Sequence, residues 1–347
     1  MDDDKTLRKI SLRDIATEAG VSVSTVSRVL SGSNSTAKIS DKTRETILKI
    51  CEDLKFRPNI HYRRLHEGYS RVIAFLIPPP SRNIMFFDES VGSFLGALEP
   101  RLAHHGFHIM LQSTTPEFLS GRQHLEILRS HAADGMILWD VCRDDDDLRD
   151  MMVEGKPLIK VAFPSELLPD QIILDNFQAS YDMTRHLLEL GHKQIAHIAG
   201  GNTVIDKDRE TGYRKAMEEA GLKPILMAGK YTFQDGYDSA VRVVKKHPKA
   251  TAIMAANDIA AAGCLRHLKE MGYSVPGQIA ITGFDGTSHS GITEPAITTA
   301  RLPMDELGRM AADRIVKAVT QPRKYKPQVT RVAVPLILRQ STAPEPA

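Results

Sequence analysis

Between Ser11 and Leu30 the apolar positions recur every third or fourth residue: Leu12, Ile15, Ala16 and Ala19, then Val26, Val29 and Leu30. That is the period of two short amphipathic helices. Ser11 is placed to cap the first, and Asp14 falls in its opening turn, where the helix dipole favours a carboxylate. Gly20 stops that helix, Val21 turns inward, and Ser22 caps the second. This leaves Val23, Ser24, Thr25, Ser27 and Arg28 on the outer face, near the start of the second helix. After a polar loop over 31–38, Ile39, Ile47, Ile50, Cys51 and Leu54 predict a third helix, capped by Ser40 and packed beneath the first two. Arg57-Pro58-Asn59 ends it, because a residue before proline avoids helical backbone, and Asn59 can open a short helix through Leu65 that Gly68 closes.

From residue 72 onward the pattern changes to short apolar runs separated by longer amphipathic ones, which predicts α/β architecture with parallel sheets and crossover helices. Val72 to Ile77, Ile109 to Gln112, Gly135 to Leu138 and Leu158 to Val161 form one set of strands. A second set follows at Ile172 to Leu174, Ile195 to Ala199, Ile225 to Ala228, Ala252 to Ala255 and Ala280 to Phe284, and is expected to make a second sheet. A late helix, Asp305 to Val319, is expected to return to the first lobe, and the strand near Val329 to Leu338 to the second. The expected organisation is a helix-turn-helix domain over 8–57, a hinge helix and linker over 58–70, a two-lobed core over 71–340 and a flexible tail over 341–347. Within the core the first lobe takes 71–162 and 292–325, and the second takes 163–291 and 326–340.

Charge sharpens this division. Lys5 to His66 holds thirteen Lys/Arg against six Asp/Glu, an excess of +7 in a chain whose net charge is only +2. A basic excess on a helix-turn-helix suits duplex DNA: phosphates take the charge, while an Arg, short hydroxyls and a Val near a helix start suit base edges in a major groove. The alternative at this level is a small helical hairpin with a solvated polar face. Cys51, Cys142 and Cys264 form no C-x-x-C and read as small buried hydrophobes in a reducing cytosol. With no run of eighteen apolar residues and no apolar stretch behind MDDDKTLRK, neither a membrane span nor export is expected.

The motifs IATEAGVSVSTVSRVL, RPN-x-x-x-R-x-L (57–65), NDIAAAG (257–263), GFDG (283–286) and EPAITTARLP (294–303) together resemble the lactose-repressor family of bacterial transcription factors, over almost the whole chain. The resemblance implies a regulator, without enzymatic activity or cofactor, that binds a near-palindromic operator as a homodimer and changes its affinity when a small molecule enters the core. It implies two doubly wound lobes like those of periplasmic sugar-binding proteins. It also implies DNA contacts from Asn59, Arg63 and Leu65, with Leu65 as a minor-groove wedge. Some relatives end in a heptad-rich helix that joins dimers into tetramers; STAPEPA lacks that repeat, so a dimer is expected.

Ligands of open α/β sheets gather at the carboxyl ends of strands. Asp285 closes AITGF, Asn257 follows TAIMAA, and Arg209 stands beyond IAHIAGG. Each matches an effector-contacting position of the family, and together they can bond the hydroxyls of a sugar or another polar metabolite. The competing reading is an Asp285–Arg209 ion pair that holds the lobes. Phe86, Phe87 and Tyr231 fall where relatives carry cleft residues, though each could equally be packing. Three positions depart from the family pattern: Ala162, followed by Phe163-Pro164, stands where an aspartate is frequent, the loop 78–85 is longer and prolyl, and Tyr62 replaces a usual alanine. His104-His105-x-x-His108 lacks an acidic or cysteine partner for a metal, Asp144 to Asp147 suits a helix start, and Gly200-Gly201 lacks the rest of a nucleotide-phosphate motif. An unexported solute receptor, which has no use for residues 11 to 65, and a sugar- or nucleotide-acting enzyme, which turnover of the ligand would support, are the other function classes.

Overall fold

The structure, a computed structural model, describes residues 10–31, 39–54, 56, 69–79, 89–140 and 145–342. Three helices begin it: α1 (Leu12–Glu18), α2 (Val23–Ser31) and α3 (Asp41–Asp53). Each starts at a serine. Ser11 Oγ accepts from the Asp14 N–H at 3.3 Å while the Asp14 carboxylate accepts from the Ser11 N–H at 2.8 Å, a reciprocal capping box. Ser22 Oγ accepts from the Thr25 N–H and Ser40 Oγ from the Thr43 N–H, both at 3.1 Å. Gly20, at φ +63°, takes the left-handed turn that ends α1. Ile15, Val26 and Ile47, one from each helix, are fully buried against one another.

The rest of the chain forms two six-stranded sheets. The first holds β1 (Val72–Ile77), β2 (His108–Ser113), β3 (Gly135–Trp139), β4 (Leu158–Ala162), β5 (Gln171–Leu174) and β11 (Val329–Val332), in the order β11-β5-β4-β3-β1-β2. The second holds β6 (Ile195–Ile198), β7 (Ile225–Met227), β8 (Ala252–Met254), β9 (Ala280–Asp285), β10 (Thr298–Arg301) and β12 (Leu336–Ile337), in the order β12-β10-β9-β8-β6-β7. All pairings are parallel except β10 with β12. Strands buried on both faces explain the continuous apolar runs of the sequence, since helices cover both sides of a parallel sheet.

In the first lobe, α4 (Glu89–His104) packs on α13 (Met304–Thr320), with α5 (Pro116–Ser120), α6 (Gln123–Arg129) and α7 (Asp145–Val153) on the other face. In the second, α8 (Asn176–Glu189) packs on α9 (Val204–Glu219) and α10 (Phe233–Lys246) on α11 (Asp258–Glu270); the short α12 (Ser288–Ile292) follows β9. Glycine permits the close crossings. A Cβ on Gly236 would strike the Ala260 carbonyl and one on Gly263 the Phe233 carbonyl, so α10 and α11 touch backbone to backbone.

Three strands lie in the opposite sheet from the one expected. Gln171–Leu174 pairs with β4 and β11 in the first sheet, not the second. The reason is the compact loop before it: Gln171 accepts from the Ser165 N–H at 2.8 Å and donates to the Ser165 carbonyl at 2.7 Å, folding the chain back beside β4. Val329–Val332 also joins the first sheet, where the buried Arg314 of α13 donates to the Gln171 carbonyl at 2.9 Å and to the Thr330 hydroxyl at 2.6 Å. Thr298–Arg301, expected in the first lobe, pairs with β9 in the second. The chain therefore crosses between lobes after β5, after β10 and after β11, and the lobe boundaries move accordingly.

Candidate functional site

Two surfaces answer to the sequence reading. On α2, Val23 is 40% exposed, Ser24 is exposed, and Thr25 and Arg28 are half-buried. Ser22 Oγ lies 2.7 Å from the Ser24 hydroxyl and 2.8 Å from that of Thr25, which orders the start of the helix. Ser27 is a correction: at 8% exposure it is buried rather than part of the outer face. With about 100° between successive helical residues, position 27 borders the stripe of Val26 and Leu30, and a small hydroxyl there is covered by packing. Asn59, Arg63 and Leu65, together with Phe86 and Phe87, lie outside the described residues.

The second surface is a cavity of about 1320 Å³ between the lobes, at the carboxyl ends of both sheets. Arg209, Tyr231, Asn257 and Asp285 all line it. Arg209 reaches it from α9 and is only 6% exposed: Nε donates to Asn176 Oδ1 at 2.9 Å, Nη1 to the Ala256 carbonyl at 2.9 Å, and the guanidinium lies 3.5 Å from the Phe284 ring centre. Its Nη2 is 3.7 Å from Asp285 Oδ1, an electrostatic contact too long for a hydrogen bond. Both residues stand on the second lobe, so this pair does not tie the lobes together.

Asn257 caps α11: its Oδ1 accepts from the Ala260 N–H at 3.0 Å, which turns the amide NH₂ outward, 3.5 Å from the Tyr231 carbonyl. Tyr231 donates its hydroxyl to Asp206 at 2.5 Å, and its ring lies against Gly200, where any Cβ would collide. Burial pushes the Tyr231 hydroxyl well above its ordinary range. For Asp206 burial opposes ionisation, but hydrogen bonds from Thr203, Tyr231 and the Thr203 and Gly200 amides outweigh it and hold the carboxyl below the usual value. Asp258 differs: burial raises it, despite bonds from Thr299 and from the Thr287 hydroxyl and amide.

Several cavity residues carry no signal in the one-dimensional pattern. Glu89 at the start of α4 accepts from the Ser288 N–H at 3.0 Å and from the Ser288 hydroxyl at 2.8 Å, joining the lobes across 199 positions. Thr287 does not cap α12 with its own side chain. Its hydroxyl donates to Asp258 of the same lobe, and the Ser288 amide at the helix start is bonded instead by Glu89 of the other lobe. Trp139 and Phe163 line the first-lobe wall. Asp140 just past β3, and Ala162 and Asp285 at the ends of β4 and β9, have φ of +41°, +64° and +103°, and non-glycine backbone in that region is strained. All three border the cavity. Elsewhere, His105 faces Asp313 at 3.1 Å, and among the described residues no group of His, Cys, Asp and Glu is arranged to hold a metal.

Residues 11–59 match the family model described as bacterial regulatory proteins, lacI family, and residues 184–342 match a periplasmic binding protein-like domain. The HTH-type transcriptional regulator DegA of Bacillus subtilis is 30% identical over 346 residues, 97% of this chain and 99% of that protein. A solved transcriptional regulator, CelR in complex with cellobiose, superposes with a TM-score of 0.71 at 26% identity, over 96% of this chain and 99% of that one. The lac repressor dimer bound to operator and the anti-inducer ONPF gives 0.81 over 96% and 99%, at 24% identity, and so speaks to fold alone.

Proposed function

We propose, for a chain that belongs to the LacI family of bacterial regulatory proteins, that it represses transcription by holding a palindromic operator as a homodimer and that a sugar or sugar derivative in the inter-lobe cavity changes its grip. The family is one of transcriptional regulators, not enzymes. The observation that carries the reading is the convergence of Arg209, Asn257 and Asp285 on one cavity, in a chain that also presents Val23, Ser24, Thr25 and Arg28 on a helix-turn-helix. A guanidinium, an amide and a carboxylate supply both donors and acceptors, as vicinal hydroxyls require. Arg28 can bond guanine, the hydroxyls can bond base edges or phosphates, and Val23 can touch a thymine methyl. Asn59, Arg63 and Leu65 are assigned to the minor groove at the dyad, and Phe86 and Phe87 to the effector cleft.

Closure of the lobes around an effector would change the spacing of the two hinges in a dimer, so DNA and effector must alter each other's affinity by the same factor. Selection of duplexes from a random library by the full chain, followed by thermal-shift screening of sugars, sugar phosphates and nucleobases, tests the reading. A palindromic motif and at least one sugar that changes operator affinity are expected. Failure to enrich any palindrome at low salt would remove the operator; a sugar that stabilises the protein without altering DNA affinity would remove the gate.

A further inference from the structure

Resting on the reading of the chain as an operator-binding dimer, we propose that the core makes a second contact with DNA: the basic loop between α13 and β11 meets backbone phosphates that flank the half-sites. From Arg314 to Thr342 the sequence carries seven Lys/Arg and no Asp/Glu. Three of them, Arg323, Lys324 and Lys326, are exposed within four positions of that loop, and among the described residues their side chains form no hydrogen bond or ion pair.

The loop's place in the fold gives those charges a direction. Every pairing within the first sheet is parallel, so β11 begins at the same end as β1, opposite the cavity at the carboxyl ends. The linker from the reader enters at that end. Asp134, buried in the loop before β3, accepts from the Ser70 N–H at 2.8 Å and from the Arg71 N–H at 2.7 Å, and so fastens the entering chain to the lobe. Five steps separate Leu65 from Ser70, at most about 18 Å of extended chain, so a Leu65 seated in the minor groove draws this end of the lobe down to the duplex. β11 stands four strands from β1, which sets the loop roughly 19 Å to one side of the linker.

The loop is also held in shape. The Lys324 and Tyr325 N–H groups both donate to the Gln321 carbonyl at 2.9 Å, the half-buried Tyr325 donates its hydroxyl to Asp170, and Arg314 donates to the Gln328 carbonyl at 3.1 Å. Pro322 and Pro327 bracket the three cations and restrict the backbone further. Asp170, the carboxylate that touches this loop, is buried and already bonded to Arg314 and Tyr325, which leaves the outer cations unneutralised. Ordering a loop costs entropy that charge kept only for solubility need not incur. Fixed cations suit phosphates, which position a protein on a duplex without reading its bases.

The test uses the full chain and the palindrome it selects, prepared bare and with about twelve base pairs of unrelated sequence on each side, twice the roughly six pairs that ~19 Å spans. By fluorescence anisotropy at about 50 mM salt, the extended duplex is expected to bind about tenfold more tightly than the bare one. Two copies bring six such cations, three each, so its log–log salt slope is expected to be steeper by roughly three to five. The combined variant Arg323→Gln, Lys324→Gln, Lys326→Gln loses both gains, while its affinity for the bare palindrome stays within about threefold and its selected motif is unchanged. The combined variant Arg323→Lys, Lys324→Arg, Lys326→Arg keeps the charges and retains both gains. If the flanks help the neutralised variant as much as the wild type, or help neither, the loop does not touch them and the proposal is overturned. A neutralised variant that weakens on the bare palindrome as much as on the extended one overturns it too, since the charges then act within the half-sites. If no palindrome is selected at all, the operator reading falls first and takes this inference with it.

Discussion

The reader domain and the inter-lobe cavity handle the same problem, placing a few polar groups accurately, by opposite means. In the reader, Val23, Ser24, Thr25 and Arg28 lie within six consecutive positions, and a single capped helix sets their relative directions. In the cavity, Arg209, Asn257 and Asp285 come from three different second-lobe segments, and the opposing wall comes from β3, β4 and β5 of the first. Local placement costs little backbone strain: among the described residues of the reader the one left-handed turn, at φ +63°, is a glycine. Assembly at distant strand ends leaves Asp140, Ala162 and Asp285 in left-handed backbone, and strained residues of this kind gather where a ligand must be met.

The largest consequence is electrostatic. If the reader works through its basic excess, operator affinity of the full chain falls by about 10³–10⁵ between 50 and 200 mM salt for roughly six to ten phosphate contacts. Binding of a neutral sugar in the cavity changes by less than about twofold over the same range, because no counterions are released. Fluorescence anisotropy of a labelled operator and Trp139 titration measure the two; equal slopes would erase the contrast between the regions.

Next is the loss of coupling. Asp285→Ala is expected to abolish the effector's action on operator binding, normally about 5–150-fold for a coupling of roughly 1–3 kcal/mol, while basal operator affinity remains within about threefold. Electrophoretic mobility shift with and without sugar decides it. Should the variant lose DNA binding through unfolding, Asp285 serves the fold and not the ligand. In the converse substitution, Arg28→Ala weakens the selected operator by about 1–3 kcal/mol and relaxes the motif at one base position, with sugar affinity unchanged. An unaltered motif would put the wrong face of α2 in the groove. The smallest effect belongs to Ser11→Ala, which removes one half of the α1 capping box and lowers reader stability by about 1 kcal/mol. Hydrogen exchange of the α1 amides detects it, and amides in the second lobe should not respond.

The same contrast decides what could be read from the chain before its fold was known. Ser11, Ser22, Ser40 and Gly20 were legible because a cap is settled within four residues. Arg209, Asn257 and Asp285 can be brought to one cavity from the sequence because Asn257 and Asp285 stand at or just beyond strand ends and Arg209 on the helix that follows β6, on the side where α/β sheets keep their ligands. Sheet membership was not legible. An apolar run such as Ile172 to Leu174 records that a strand is buried but not which sheet it joins, and its place depended on Gln171 fastening the loop before it. The burial of Ser27 is not legible either, because a residue at the margin of an apolar stripe is exposed or covered according to its neighbours' packing. Nothing in the residues around position 89 or position 288 announces that they meet.

That last contact bears on timing. If the chain senses a metabolite as proposed, it must release its signal as readily as it takes it up, or transcription would follow past conditions instead of present ones. The carboxylate of Glu89 is open to water, and hydrogen bonds in such a setting add little net stability. On the proposed gating, it would guide the lobes to one closing register without holding them shut. The memory of a bound effector then resides in the effector's own contacts, and its persistence ends when those contacts break.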